Sequence, residues 1–145
     1  MPNWMKGTLR VRGTWKGVRR FLINTLEPLG DAMSIRINEG SVSGAGGPYH
    51  IEGTERGNVV DDFWTEDDNT GDIVSMLEAE FAWGVEVEAL QKLCKKYDVD
   101  MRFYGFDSSG EVNQDVEIID GEITKNKIIQ FENYQWDCIC PLMGG

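Results

Sequence analysis

The chain has 145 residues, 41% hydrophobic and 27% charged, a balance that excludes wholesale disorder and suffices for one core. It carries 25 acidic and 14 basic residues, a net charge of −11, so as a whole it repels phosphate and favours basic partners. No apolar run approaches the roughly 20 residues that span a bilayer, Met1-Pro2-Asn3-Trp4 does not open a signal peptide, and three cysteines make no even disulfide framework, so a reducing cytoplasm is expected.

The charge is unevenly laid out. Up to Arg36 the chain is basic, with Lys6, Arg10, Arg12, Lys16, Arg19, Arg20 and Arg36 against Glu27 and Asp31. Lys6 to Gly13 alternates strictly: Leu9 and Val11 point one way and Lys6, Thr8, Arg10 and Arg12 the other, as a half-buried strand requires. Thr14 offers a capping hydroxyl. Val18, Phe21, Leu22, Thr25, Leu26 and Leu29 then recur at helical spacing, with Pro28 and Gly30 as stop signals. Ser34 to Asn38 reads as a second strand, Gly40 to Pro48 as a flexible connection, and Tyr49 to Glu52 as a third strand.

An acidic insertion near 61–72 contains the turn residues Asp68-Asn69-Thr70-Gly71 and reads as an exposed loop or a short helix. Ile73 to Trp83 fits a strand or a helix. Glu86 to Asp98 is helical: Ala89, Leu90, Leu93, Cys94 and Tyr97 form one face, with acids early and lysines late to suit the macrodipole. Asp100 to Phe106, Val112 to Ile119 and Lys127 to Phe131 read as three strands of a meander, and Pro141 to Gly145 as a frayed end. This order predicts one α+β domain over residues 1–145. Its form is a ferredoxin-like sandwich of the βαββαβ type, two helices on one face of an antiparallel sheet, plus extra C-terminal strands.

Met1-Pro2-Asn3-Trp4, the strand Thr8-Leu9-Arg10-Val11-Arg12-Gly13 and the helix after it resemble the opening of YubB-like proteins, a ferredoxin-fold family of phages, prophages and plasmids. The second helix through Tyr97 and the hairpin from Arg102 to Gly110 resemble that family's later half. The resemblance implies a fold and a mobile-element origin, hence a bacterial cytoplasm. It implies no mechanism.

Catalytic chemistry finds little footing. His50 is the one histidine, with Glu52 two residues on to orient it, but no nucleophile accompanies it and it reads as a polar strand residue. Cys138, Cys140, Cys94 and His50 would make a Cys₃His zinc set, yet they come from distant places without a CxxC knuckle, so free thiols are expected. Around Gly71 the ligand pattern of a calcium loop fails, with Leu77 where a bidentate Glu belongs. Gly44-Ala45-Gly46-Gly47-Pro48 lacks the Lys-Ser/Thr and the helix of a phosphate cradle. No catalytic residue, metal or cofactor is expected.

Two groups carry binding chemistry. Phe63 and Trp64 set among Asp61, Asp62, Glu66, Asp67 and Asp68 are apolar anchors ringed by charge, suited to a basic protein surface. Alternatively, Arg10 and Arg12 on the first strand, with Arg102 and Tyr104 on another strand of the same sheet, place cations beside aromatic rings as single-stranded nucleic-acid binders do. The leading expectation is a phage or mobile-element accessory protein that acts by protein binding and not as an enzyme. Its target would be a host nucleic-acid-handling defence protein of the restriction or CRISPR type, with nucleic acid itself as the alternative partner.

Overall fold

The computed structural model describes residues 2–142, so Met143 to Gly145 of the expected frayed end lie outside it. The elements run β1 (Trp4–Gly13), α1 (Trp15–Thr25), β2 (Leu26–Pro28), β3 (Arg36–Ile37), β4 (Ser41–Gly44), β5 (Tyr49–Ile51), β6 (Gly57–Val59), β7 (Phe63–Glu66), β8 (Ile73–Ala82), α2 (Val87–Tyr97), β9 (Asp100–Asp107), β10 (Val112–Ile119), β11 (Glu122–Gln130) and α3 (Tyr134–Asp137). An antiparallel eight-stranded sheet has the order β11-β10-β9-β1-β8-β6-β5-β2, and a separate three-stranded sheet the order β3-β4-β7.

β1 lies at the centre because its alternation gives it one wholly apolar face. Met5, Leu9 and Val11 are buried, with Leu9 opposite Leu77 of β8 and Phe103 of β9. The Thr14 hydroxyl accepts from the Gly17 amide at 3.2 Å and starts α1, as its position in the sequence predicts. α1 turns Val18, Phe21 and Leu22 inward, and α2 turns Leu90, Leu93, Cys94 and Tyr97 inward. The helices touch each other and join the inward residues of the large sheet in one core. Full burial of a Leu, Val or Phe side chain contributes about 1.5–3 kcal/mol, so this shared layer dominates the stability. Val42 of β4 and Phe63 of β7 belong to the same core, which puts the small sheet in the same layer as the helices.

The predicted ferredoxin-like two-helix sandwich is therefore not the fold of this chain. The molecule is mostly β, 18% helical, with eight- and three-stranded sheets and three short helices. The reason lies between α1 and β8, where six strands of two to four residues form in place of two strands and loops. Strands that short complete barely one alternation, so the sequence carries no readable period there. The connection Gly40 to Pro48 contains β4, because Val42 is fully buried despite its glycine neighbours. The acidic insertion contains β7 instead of an unbroken loop or a helix: Phe63 and Thr65 point inward while Trp64 and Glu66 point out. Ile73 to Ala82 is a strand for the same reason, with Ile73, Ser75, Leu77 and Ala79 buried and Val74, Met76 and Glu78 exposed. Among the described residues no helix is long and apolar enough to cross a membrane.

One hydroxyl ties the glycine-rich loop to the large sheet. Tyr49 Oη, at the end of a fully buried ring, donates to Met33 O at 2.6 Å and accepts from Ala45 N at 2.8 Å. Tyr49→Phe keeps the ring and leaves both backbone groups without this partner. The expected outcome is a loss of about 1–3 kcal/mol in unfolding free energy with an unchanged urea m-value, measured by chemical denaturation.

Candidate functional site

With Leu9 and Val11 inward, β1 must send Lys6, Thr8, Arg10 and Arg12 to the opposite face, which no second layer covers along β1. Register then builds rows across β8, β1 and β9: Glu80–Lys6–Phe106, Glu78–Thr8–Tyr104, Met76–Arg10–Arg102 and Val74–Arg12–Asp100. The structure thus brings Arg10, Arg12, Arg102 and Tyr104 onto one face. Most of its charges are matched there. Arg12 meets Asp100 at 2.8 Å and Arg102 meets Glu117 of β10 at 2.8 Å, while Lys6 stands 4.0 Å from Glu80 and Lys125 3.5 Å from Asp115. The Asp100 hydrogen bond, and then its charge, hold the Arg12 guanidinium above its ordinary pKa. Arg10 makes no ion pair or side-chain hydrogen bond among the described residues.

The far end of this face is closed by the C-terminal segment. Asn113 Nδ2 donates to the Tyr104 hydroxyl at 3.2 Å, and the Tyr134 hydroxyl of α3 donates to Asn113 Oδ1 at 2.8 Å. Burial, and then the hydrogen bond with Cys138, push the Tyr134 phenol above its usual range. Beyond this anchor Trp136, Ile139 and Leu142 are almost fully exposed. Sequence reasoning missed them, although an apolar residue every third position in a terminal segment was a usable signal.

The acidic surface lies on the other side of the molecule, because β7 faces the core with Phe63 and Thr65 and turns away with Trp64 and Glu66. Phe63 is 6% exposed and packs edge-to-face on Tyr49 with ring centroids 5.8 Å apart, so it is a core residue and not available as a docking anchor. Trp64 is 68% exposed. The carboxylates order their own turns. Asp61 accepts from Asp62 N, Asp62 from Gly46 N at 3.1 Å, Asp67 from Asn69 N, and Asp68 from the Thr70 hydroxyl at 2.6 Å and amide at 3.0 Å. Asp62 thereby occupies an amide of the glycine loop that a phosphate cradle would need.

His50 projects onto the large sheet's outward face between Glu27 and Asn58, and no bond joins it to Glu52, which lies past the end of β5. Cys94 is buried on α2, Cys138 is buried just past the end of α3, and Cys140 is partly exposed. Among the described residues no three His, Cys, Asp or Glu side chains converge to hold a metal ion. No family model, curated protein or solved structure matches this chain.

Two outcomes check this geometry. The Asp68 carboxyl is held below its ordinary value of 3.8, first by the Thr70 hydroxyl and then by its amide. A depressed folded-state pKa means that this interaction is fully present above the ordinary value and is lost as pH falls through the depressed one. Thr70→Val should therefore raise the Asp68 midpoint toward 3.8 in an NMR pH titration. Burial, and then the charge of Asp100, push the Cys94 thiol up to about 12. At pH 8 a thiol reagent should label Cys140 in the native protein and reach Cys94 only on unfolding, as read by mass spectrometry.

Proposed function

We propose that this chain is a non-catalytic protein-binding protein that docks its β7 surface on a basic partner. The observation that carries the reading is Trp64, 68% exposed on the outward side of an edge strand and flanked in sequence by Asp61, Asp62, Glu66, Asp67 and Asp68. A rigid aromatic ringed by carboxylates supplies burial at its centre and electrostatic selection at its rim. The net charge of −11 steers a positively charged protein toward it. Turns closed by Asp61, Asp67 and Asp68 hold the surface in shape, so binding costs less ordering entropy than a mobile acidic loop would.

The partner class that fits is a nucleic-acid-handling protein, whose phosphate groove spaced carboxylates can occupy. In this reading the chain is an inhibitor of a host restriction or CRISPR component, encoded by a phage or mobile element and acting in the bacterial cytoplasm. Direct nucleic-acid binding is the weaker reading: Arg12 and Arg102 are already ion-paired, so a polyanion on the open face would have to compete with Asp100 and Glu117.

Trp64 and Glu66 make no side-chain hydrogen bond or ion pair among the described residues, so both can be changed without opening a turn. A pull-down from host lysate, run with and without nuclease, should recover a basic protein in both. Trp64→Ala is expected to weaken that complex about 30-fold, the measure of a hot-spot residue, and Glu66→Lys to slow its association most at low salt. Recovery undiminished by both changes would end the proposal. Recovery of nucleic acid alone, lost at high salt, would replace it with the second reading.

A further inference from the structure

On the open face of the large sheet, on the opposite side from β7, the structure assigns a binding site for a single carboxylate carried on an apolar body, with Arg10 as its anchor. The first ground is an accounting of charge. Of the four cations on β1 and β9, Lys6, Arg12 and Arg102 each have an acidic partner, and Arg10 has none among the described residues. The acids around it are already engaged: Glu78 accepts from the Thr8 hydroxyl at 2.7 Å, Asp100 from Arg12 and the Asp120 amide, and Glu117 from Arg102 and Thr124.

The second ground is register. Arg10 sits directly opposite Arg102, whose charge Glu117 offsets at 2.8 Å, so the row holds two guanidiniums of which only one is paired. An anion bound at Arg10 would complete the pairing of this row. The third ground is shape. Arg10, Arg102, Thr8, Gly7, Tyr104 and Phe106 line a cavity of about 240 Å³. That lies just below the roughly 300–1,000 Å³ of pockets for drug-sized ligands and suits a group the size of one amino-acid side chain. Tyr104 and Phe106 stand edge-to-face at 5.4 Å and form an aromatic wall, while Met76, 61% exposed, lies opposite Arg10 on the β8 side.

One planar guanidinium fork matches one carboxylate in two parallel hydrogen bonds. A phosphate dianion would match the same fork but keep one charge unoffset, since Arg102 is held by Glu117, so a monoanionic carboxylate suits the single free cation better. The ligand class is therefore an aryl or alkyl carboxylate, whether a free acid or the side chain of a peptide. The site is independent of β7 and of the protein partner proposed there.

The test is an NMR titration of the full isotope-labelled chain with phenylacetate, benzyl alcohol, acetate and inorganic phosphate as probes. Phenylacetate should shift the Arg10 Nε–H and the Tyr104 and Phe106 rings saturably, acetate should bind more weakly, and benzyl alcohol should not saturate. Arg10→Gln removes an exposed side chain with no bond to break, so its spectrum away from this face should match the wild type. Its phenylacetate affinity should fall about tenfold or more, with Arg10→Lys in between because it keeps the charge and loses the fork. Equal shifts from benzyl alcohol, an affinity indifferent to Arg10, or tighter binding of phosphate than of phenylacetate would each overturn the assignment. A peptide source is distinguished from a free acid by repeating the titration with acetyl-Asp-Phe amide: tighter binding than phenylacetate assigns the site to a peptide side chain, weaker binding to a free acid.

Discussion

The pairing of β1 with β8 on one side and β9 on the other is the constraint on which the rest of the molecule depends. All ten of its residues are matched in register with β8 and seven of them also with β9. A slip of one residue would turn Leu9 and Val11 to water and drive Arg10 and Arg12 into the core, where an unpaired guanidinium costs several kcal/mol. The register is thus fixed by what it buries. The composition of the open face follows from it, because every outward neighbour of Arg10 is a consequence of where Leu9 must go.

The acid surplus is easily misread as a uniform property of the surface. On the open face it is largely cancelled, since Asp100, Asp115 and Glu117 each hold a cation of a neighbouring strand. Exposed pairs of this kind contribute about 0–1 kcal/mol each, so they add little to stability. Their effect is to set the local potential: nearly neutral over β1 and β9, strongly negative over β7 and the turn after it. One chain therefore presents two faces with different charge.

The parts of the fold legible in the sequence were those with long periods. Leu9 and Val11 alternating with arginines located β1, Thr14 located the start of α1, and Leu90, Leu93, Cys94 and Tyr97 located α2. Between Leu26 and Glu66 only β3 and β5 fall where strands were expected; β2, β4, β6 and β7 could not be read, because pairing partners distant in sequence decide that three or four residues are a strand. Within the acidic site, charge was visible but the side to which each aromatic turned was not. Phe63 went inward and Trp64 outward because Tyr49 offers a ring to pack against, a contact 14 residues away in the chain. On the open face the arginines were visible, but which of them had counterions depended on Asp100 and Glu117 arriving from β9 and β10.

Among the described residues, β11 ends the large sheet with nine residues that no further strand covers. Its β-branched residues Ile123, Thr124, Ile128 and Ile129 would favour recruitment of another chain's strand, the first step of ordered aggregation. Lys125 and Lys127 interrupt that run on the outward side. Lys125 is held by Asp115 of β10, but Lys127 has no ion pair among the described residues, and a strand added at this edge would have to take water from its ammonium group.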